Sequence, residues 1–384
     1  MRLILYLLFI LMPMQMMAKS TLATTDIVDE QHLLELLDEY IERRELYTEQ
    51  KEEKIKQLKI KLRIADSNTS RLSILNTIYR EYYTYRYDSA MVYANRGLSL
   101  ALSYNNTYYA TLNRINRAAV LSTGGFYSQA ETLLNEIGEN NVPHQLKQYY
   151  YYTTTWLYSY WESFCDKSEF KDYYRQKKLQ FLRLTVNTTH SNNVGLYAYL
   201  SGELAYLENP LGKNVLRHYT IAINNSPVNS RVHASAAYCI ARYYREIGNM
   251  QLYEKYIVEA AISDMVCPLK ENLALQELST YLYKKDPKYA NRAARYIYCS
   301  MEDAQFYNNR LRMLEISNIQ PIIATANQEA LAHKERIVRG VLAVVSFLSL
   351  VLLGMALLGY KQTKWLARSR REVKSQNLSL IHIS

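Results

Sequence analysis

Residues 341–360, VLAVVSFLSLVLLGMALLGY, run for twenty positions without one charged side chain. A helix rising ~1.5 Å per residue crosses a ~30 Å hydrocarbon core in that length. A buried helix of a soluble protein would normally keep some polar face, and this one has almost none. The run therefore reads as a transmembrane helix, with chain on both sides of a membrane. After it come Lys361, Lys364, Arg368, Arg370, Arg371 and Lys374, with Glu372 the only acid. Before it lie Lys334, Arg336 and Arg339, diluted by Glu335. The heavier basic side is expected to be cytoplasmic.

The N-terminus gives an independent indication. Met1-Arg2 is followed by an apolar run from Leu3 to Met17, and Ala18-Lys19-Ser20 resembles a small-residue cleavage site. Residues 1–20 read as a secretory signal peptide, the alternative being an uncleaved anchor too short to span comfortably. Both ends then place residues 21–340 in the periplasm and 361–384 in the cytoplasm. The formal charge of +10 bears on the same point. Residues 361–384 carry six basic and one acidic side chain, and the exported body is nearly balanced. The basic excess marks topology, so direct nucleic-acid binding by this chain is not expected.

Gly and Pro are sparse, at 11 and 7, which favours long helices over a many-turned β fold. The stretch NRAAVLSTGGFYSQAETLLNEIGENNVP, around Gly125, Tyr127, Ala130 and Leu134, resembles the tetratricopeptide repeat. Gly suits a tight turn between antiparallel helices, and Ala lets two backbones approach. Ala90, Ala130, Asp172, Val215, Tyr253 and Ala293 occupy corresponding positions, spaced 40, 42, 43, 38 and 40 residues apart. Those spacings exceed the usual repeat of about 34, so extended helices are expected. The predicted fold is all-α: a tetratricopeptide-like solenoid of about six helix pairs over residues 71–300, followed by the single transmembrane helix. An N-terminal amphipathic segment over 21–70 and a juxtamembrane helix over 301–340 flank the solenoid. Pro321 is expected to kink or end its helix. The 37 Tyr read mainly as repeat packing, with ring inside and hydroxyl at an edge.

The segments IERRELYTEQKEEKIKQLK, YDSAMVYANRGLSLA and SMEDAQFYNNRLRMLEISNIQPII resemble a Bacteroidetes family. Its members combine a signal peptide, periplasmic tetratricopeptide-like repeats, one transmembrane helix and a cytoplasmic coiled coil. The resemblance implies a sensor or transcriptional-regulator role, although the family is largely of unknown function. Family members continue into a longer helical tail. This chain stops 24 residues after Tyr360, and a truncated tail is expected.

Enzyme motifs are missing. Gly212-Lys213 lacks the upstream glycine of a phosphate loop, and no HExxH, GxSxG or GxGxxG occurs. The seven His form no ligand-spaced pair, so neither a metal nor a cofactor is expected. Cys165, Cys239, Cys267 and Cys299 show no CxxC spacing. Cys239 and Cys299 read as small core residues, and Cys267 with Cys299 is the first pair to test for a disulfide. The best binding candidate is QYYYYTTTWLYSYW, residues 148–161. Helical spacing puts Tyr149, Thr153, Trp156 and Tyr160 near one face, with Tyr152 beside them, and Tyr150, Thr154, Leu157 and Trp161 on an adjoining stripe. One stripe packs on neighbouring helices. The other is a candidate groove lining, where aromatic side chains anchor a protein or peptide, or stack on a carbohydrate. A locally Tyr-rich core is the competing explanation. The expected function is a membrane-anchored sensor, with a periplasmic scaffold lacking any output as the alternative. Relaying a signal would need a bistable element, such as a homodimer or a rotating helix.

Overall fold

The computed structural model describes residues 30–189, 192–270 and 273–381. The predicted signal peptide, residues 1–20, lies outside them. Among the described residues there are fifteen α-helices and no strand. They belong to two compact units, residues 1–323 and 324–384.

In the first unit, α1 (Glu30–Glu42) and α2 (Arg44–Arg63) precede six antiparallel pairs. These are α3 (Asn68–Tyr83) with α4 (Tyr87–Ser103), α5 (Thr107–Thr123) with α6 (Tyr127–Ile137), and α7 (Lys147–Phe164) with α8 (Lys171–Thr188). Next come α9 (Val194–Glu208) with α10 (Lys213–Asn224), α11 (Arg231–Glu246) with α12 (Met250–Val266), and α13 (Ala274–Lys285) with α14 (Ala290–Tyr307). The helix α15 (Arg310–Ile381) begins in this unit and continues into the second.

Local chemistry starts and stops these helices. Asn106, Ser230 and Asn249 accept a hydrogen bond from the backbone N–H three residues on, capping α5, α11 and α12. The α5–α6 and α11–α12 turns pass through Gly125 at φ +84° and Gly248 at φ +77°, a region costly for other residues.

Five of the six corresponding repeat positions sit at the centre of their contacts. Ala90, Ala130, Val215 and Ala293 are fully buried and Tyr253 nearly so. Asp172 on α8 departs from them and is exposed. At that pair Trp161 stacks on Tyr174 with ring centroids 4.3 Å apart. Two stacked aromatic rings hold α7 and α8 together there.

Tyrosine also links the helices through its hydroxyl. Tyr79 donates to the Asn116 carbonyl (3.1 Å), Tyr85 to Glu52 (2.8 Å), Tyr158 to Glu131 (2.8 Å) and Tyr219 to Glu203 (2.6 Å). Each ring fills space and each hydroxyl satisfies a carbonyl or carboxylate that would otherwise lose its hydration.

The N-terminal segment differs from the single amphipathic helix that its sequence suggests. It breaks at Arg43 into α1 and α2, which have different destinations. Ile55 of α2 packs with α3 and α4, whereas Leu33, Leu34, Leu37 and Ile41 of α1 are buried in the core shared with α12 and α14. Burying such a side chain is worth about 1.5–3 kcal/mol, so four of them hold α1 firmly. Asp38 adds polar ties, accepting from Arg292 Nε (2.9 Å) and the Tyr296 hydroxyl (2.7 Å).

The C-terminal part of the array also meets its first two pairs. Tyr307 at the end of α14 donates to the Tyr83 carbonyl (2.7 Å), the Lys270 N–H between α12 and α13 bonds the Thr84 carbonyl (2.9 Å), and the Arg310 guanidinium of α15 lies 4.0 Å from the Phe126 ring centroid in the α5–α6 turn. The array within this unit is therefore closed on itself. Helix α14 ends at Asn308, in the left-handed region at φ +70°, and Asn309 caps α15 by accepting from the Arg312 N–H. The expected juxtamembrane helix over 301–340 is thus divided by a turn. Pro321 does not end α15, which continues through it. Ile316 and Ile323 on either side are fully buried. Their packing offsets the ~3 kcal/mol cost of an interior proline.

All four cysteines are free thiols, and Cys267 and Cys299 are unbridged. In the second unit, the stretch Leu331–Val373 of α15 is long and apolar enough to cross a membrane, and the apolar core of it is not buried.

Candidate functional site

Helix α7 divides its aromatic residues between two tasks. On one side Tyr150 donates to the Leu134 carbonyl (3.3 Å) and Trp161 stacks on Tyr127 at 5.7 Å, packing α7 against α6. On the other side Tyr152, Trp156 and Tyr160 line a cleft of about 260 Å³. Tyr149 and Thr153, placed with them by helical spacing, are elsewhere. The Tyr149 hydroxyl donates to Asn116 Oδ1 (2.9 Å), and Asn116 in turn donates to Asn76 Oδ1 (3.1 Å). This network ties α7 to α5 and α3, and burial pushes the Tyr149 phenol up to about 12. Thr153 is buried and is not among the residues lining the cleft.

The aromatic wall is ordered by mutual contact. The Trp156 and Tyr199 rings are near parallel, 9° apart with centroids at 6.3 Å. Tyr152 and Tyr160 flank Trp156 at 6.0 and 6.4 Å. Also lining the cleft are charged residues of five helices: Lys178 of α8, Glu203 of α9, Arg231 and Arg242 of α11, Asp264 of α12 and Arg312 of α15.

Glu203 on α9 is buried and accepts from the Tyr219 hydroxyl (2.6 Å), Arg242 (3.0 Å) and the Cys239 thiol (3.2 Å). Burial alone would raise its pKa, but Arg242 and then Lys178 and Tyr219 bring it below the usual carboxylate range. Burial, followed by the Glu203 charge, pushes the Cys239 thiol well up, so it is an inert hydrogen-bond donor there. The Arg242 guanidinium also stacks on the Tyr206 ring, 3.7 Å from its centroid. Across the cleft, Arg231 donates to the Tyr160 hydroxyl at 3.1 Å.

Arg312, in the first turn of α15, completes the lining. It is buried and donates to Glu315 at 2.6 Å. Three buried N–H groups of cleft residues, Trp156 Nε1, Arg242 Nε and Arg312 Nε, have no hydrogen-bond acceptor among the described residues. Leaving such a donor unsatisfied costs about 1–3 kcal/mol, which makes their presence around one cavity notable.

Sequence reasoning located the aromatic side of the cleft and missed Glu203, Arg242 and Arg312. One signal was available. Glu203 lies inside VGLYAYLSGELAYLE, a helix otherwise uncharged until its last residue, and a buried carboxylate requires a cation nearby. Among the described residues no group of three or more His, Cys, Asp or Glu is placed to hold a metal ion.

The model of the SusR N-terminal TPR domain family matches residues 41–318 of the chain, most of the helical array described above. No curated protein matches the chain.

Proposed function

The chain belongs to the SusR N-terminal TPR domain family, and on that premise we propose that it is a membrane-anchored receptor. Its helical array binds a protein or peptide on the periplasmic side, and α15 relays the bound state to a cytoplasmic tail. The observation that carries this reading is the position of Arg312. It lines the cleft and belongs to α15, the helix that also holds the membrane-crossing stretch. A ligand contacting Arg312 acts directly on that helix, so differential affinity for two states of α15 is what would move the equilibrium. Tetratricopeptide arrays supply binding surface, and the polar, tyrosine-lined cleft fits a non-catalytic role. The basic residues from Lys361 to Lys374 favour a cytoplasmic position for that end and add attraction to anionic lipid of ~1 kcal/mol each.

The test is recovery of partners by full-length protein in detergent, wild type against Trp156→Ala with Tyr160→Ala. Loss of a specific partner in the double variant supports the cleft as the binding site. Equal recovery of the same partners by both forms would sink it. Reporter fusions at residue 300 and after residue 374 check the orientation, and a cytoplasmic signal at 300 would reverse it. If binding persists but removal of the tail changes no cellular output, the protein is a scaffold and no relay exists.

A further inference from the structure

We propose that α15 packs against the α15 of a second copy of this chain, in a parallel homodimer whose seam follows every seventh residue from Leu331 to Val373. The inference goes beyond the receptor reading. It rests on that reading at one point, that residues 341–360 cross a membrane, which sets two copies side by side in the same direction.

Charge picks out the seam. Residues seven apart lie close to one line along a helix, so the surface of α15 divides into seven such lines. Between Leu331 and Val373 six of the lines carry charge, at Lys334, Glu335, Arg336, Arg339, Lys361 and Glu372 respectively. The seventh, through Leu331 and Val338, carries none. In a parallel pair of identical helices the central line of each meets the same line of the other. A charged residue on it faces its own copy, and like charges so placed repel. The line through Leu331 is therefore the one line that a parallel pair can bury whole.

Lipid does not explain this line. A membrane favours apolar side chains on every side of residues 341–360 alike. Leu331 and Val338 precede that stretch, and Leu366 and Val373 follow it, each among charged neighbours. All four are exposed, at 46, 56, 51 and 55%. A second copy carries the same spacing and covers both ends at once. Within the span the line continues through Val345 and Leu352 to Gly359, and small residues are where membrane helices approach closely. The strict spacing also sets the shape of the pair. A straight α-helix drifts about 20° in seven residues, so a line kept over this length faces one partner only when the two helices wind left-handedly about each other.

The test is disulfide cross-linking of the full-length protein in alkali-washed membranes, using added cysteines and copper-phenanthroline. The wild-type chain with its four free thiols gives the baseline. Val338→Cys and Val373→Cys stand on the seam. Arg336→Cys and Arg371→Cys stand two residues earlier, about 200° around the helix. Thiols bridge only where their Cα atoms come within ~4.4–6.8 Å. Both seam variants should therefore give a dimer band well above the baseline, and both controls should stay at it. In detergent, Val373→Lys sets like charges face to face. It should raise the dimer dissociation constant, read by sedimentation equilibrium, about tenfold or more. Arg371→Gln should leave that constant unchanged. All these side chains are exposed in the single chain, so the substitutions leave its core intact. A chain missing from the washed membranes overturns the span and the dimer with it. A chain present there without cross-links, with equal cross-linking at 336 and 371, or with cross-linking at only one seam position overturns the dimer and leaves the anchor standing. An unchanged dissociation constant in Val373→Lys overturns the seam as well.

Discussion

The Tyr307 hydroxyl donates to the Tyr83 carbonyl at 2.7 Å, joining the last helix pair to the first across 224 residues of sequence. The same hydroxyl lies 2.6 Å from Thr123 Oγ1. Tyr307→Phe keeps the buried ring and leaves the Tyr83 carbonyl without this donor. It should cost about 1–3 kcal/mol, read as a lowered urea midpoint of the full-length protein in mild detergent. An unchanged midpoint would mean that this junction contributes nothing.

The exception at α8 can be tested directly against the other pairs. Ala130→Leu inserts a large side chain at a fully buried core position of α6, and overpacking of this kind costs about 1–3 kcal/mol. Asp172→Leu, at the corresponding but exposed position, should shift stability by less than about 0.5 kcal/mol. Equal losses at both sites would show that Asp172 is packed like its counterparts.

Arg242→Gln removes the main cation from buried Glu203. Breaking a buried pair in this way costs about 3–5 kcal/mol, and the variant should unfold at distinctly lower temperature. Glu203→Gln should be milder, because no buried carboxylate is left unpaired.

The same carboxylate sets a pH dependence. Its folded pKa lies below the unfolded value of 4.5. The stability it contributes is therefore complete above the ordinary carboxylate range and is lost as pH falls through the lowered folded value. The stability gap between wild type and Glu203→Gln should be constant near neutral pH and shrink as the pH falls below about 5. A gap that widened on acidification would contradict the pairing.

Membrane anchoring is checked with Leu350→Arg and Leu352→Arg together. Each arginine near the middle of a membrane helix costs about 2.5–3.5 kcal/mol. The double variant should move from the alkali-resistant membrane fraction to the soluble one. Retention would argue that residues 341–360 are not the anchor.

Much of this fold was legible because repeats leave a periodic trace. Ala90, Ala130 and Ala293 are small for a reason that recurs every forty or so residues, the close contact of two helices. Asp172 broke that trace because Trp161 and Tyr174 do the same job with a different shape, and stacking has no fixed spacing. Closure of the array was not legible at all. Asp38 and Arg292 are 254 residues apart, and a contact between ends has no period. The binding cleft was half visible. Trp156, Tyr152 and Tyr160 belong to a conspicuous aromatic run. Arg242 and Arg312 are single charged residues on helices, where a solvated arginine is the ordinary case, and only the fold brings them to one cavity. Tyr149 and Thr153 show the limit of spacing arguments: a helix face is about 100° wide, and its margins pack against neighbours.

Closure of the array has a further consequence for how such a protein can change. In an open stack of repeats a unit can be lost or duplicated at an end, and the ends fray independently because each unit touches only its neighbours. Here α1 rests on α12 and α14, and Tyr307 on Tyr83, so deleting any one pair would misalign both seams at once. Unfolding of the unit should therefore be a single cooperative event with no terminal repeat free to peel away first.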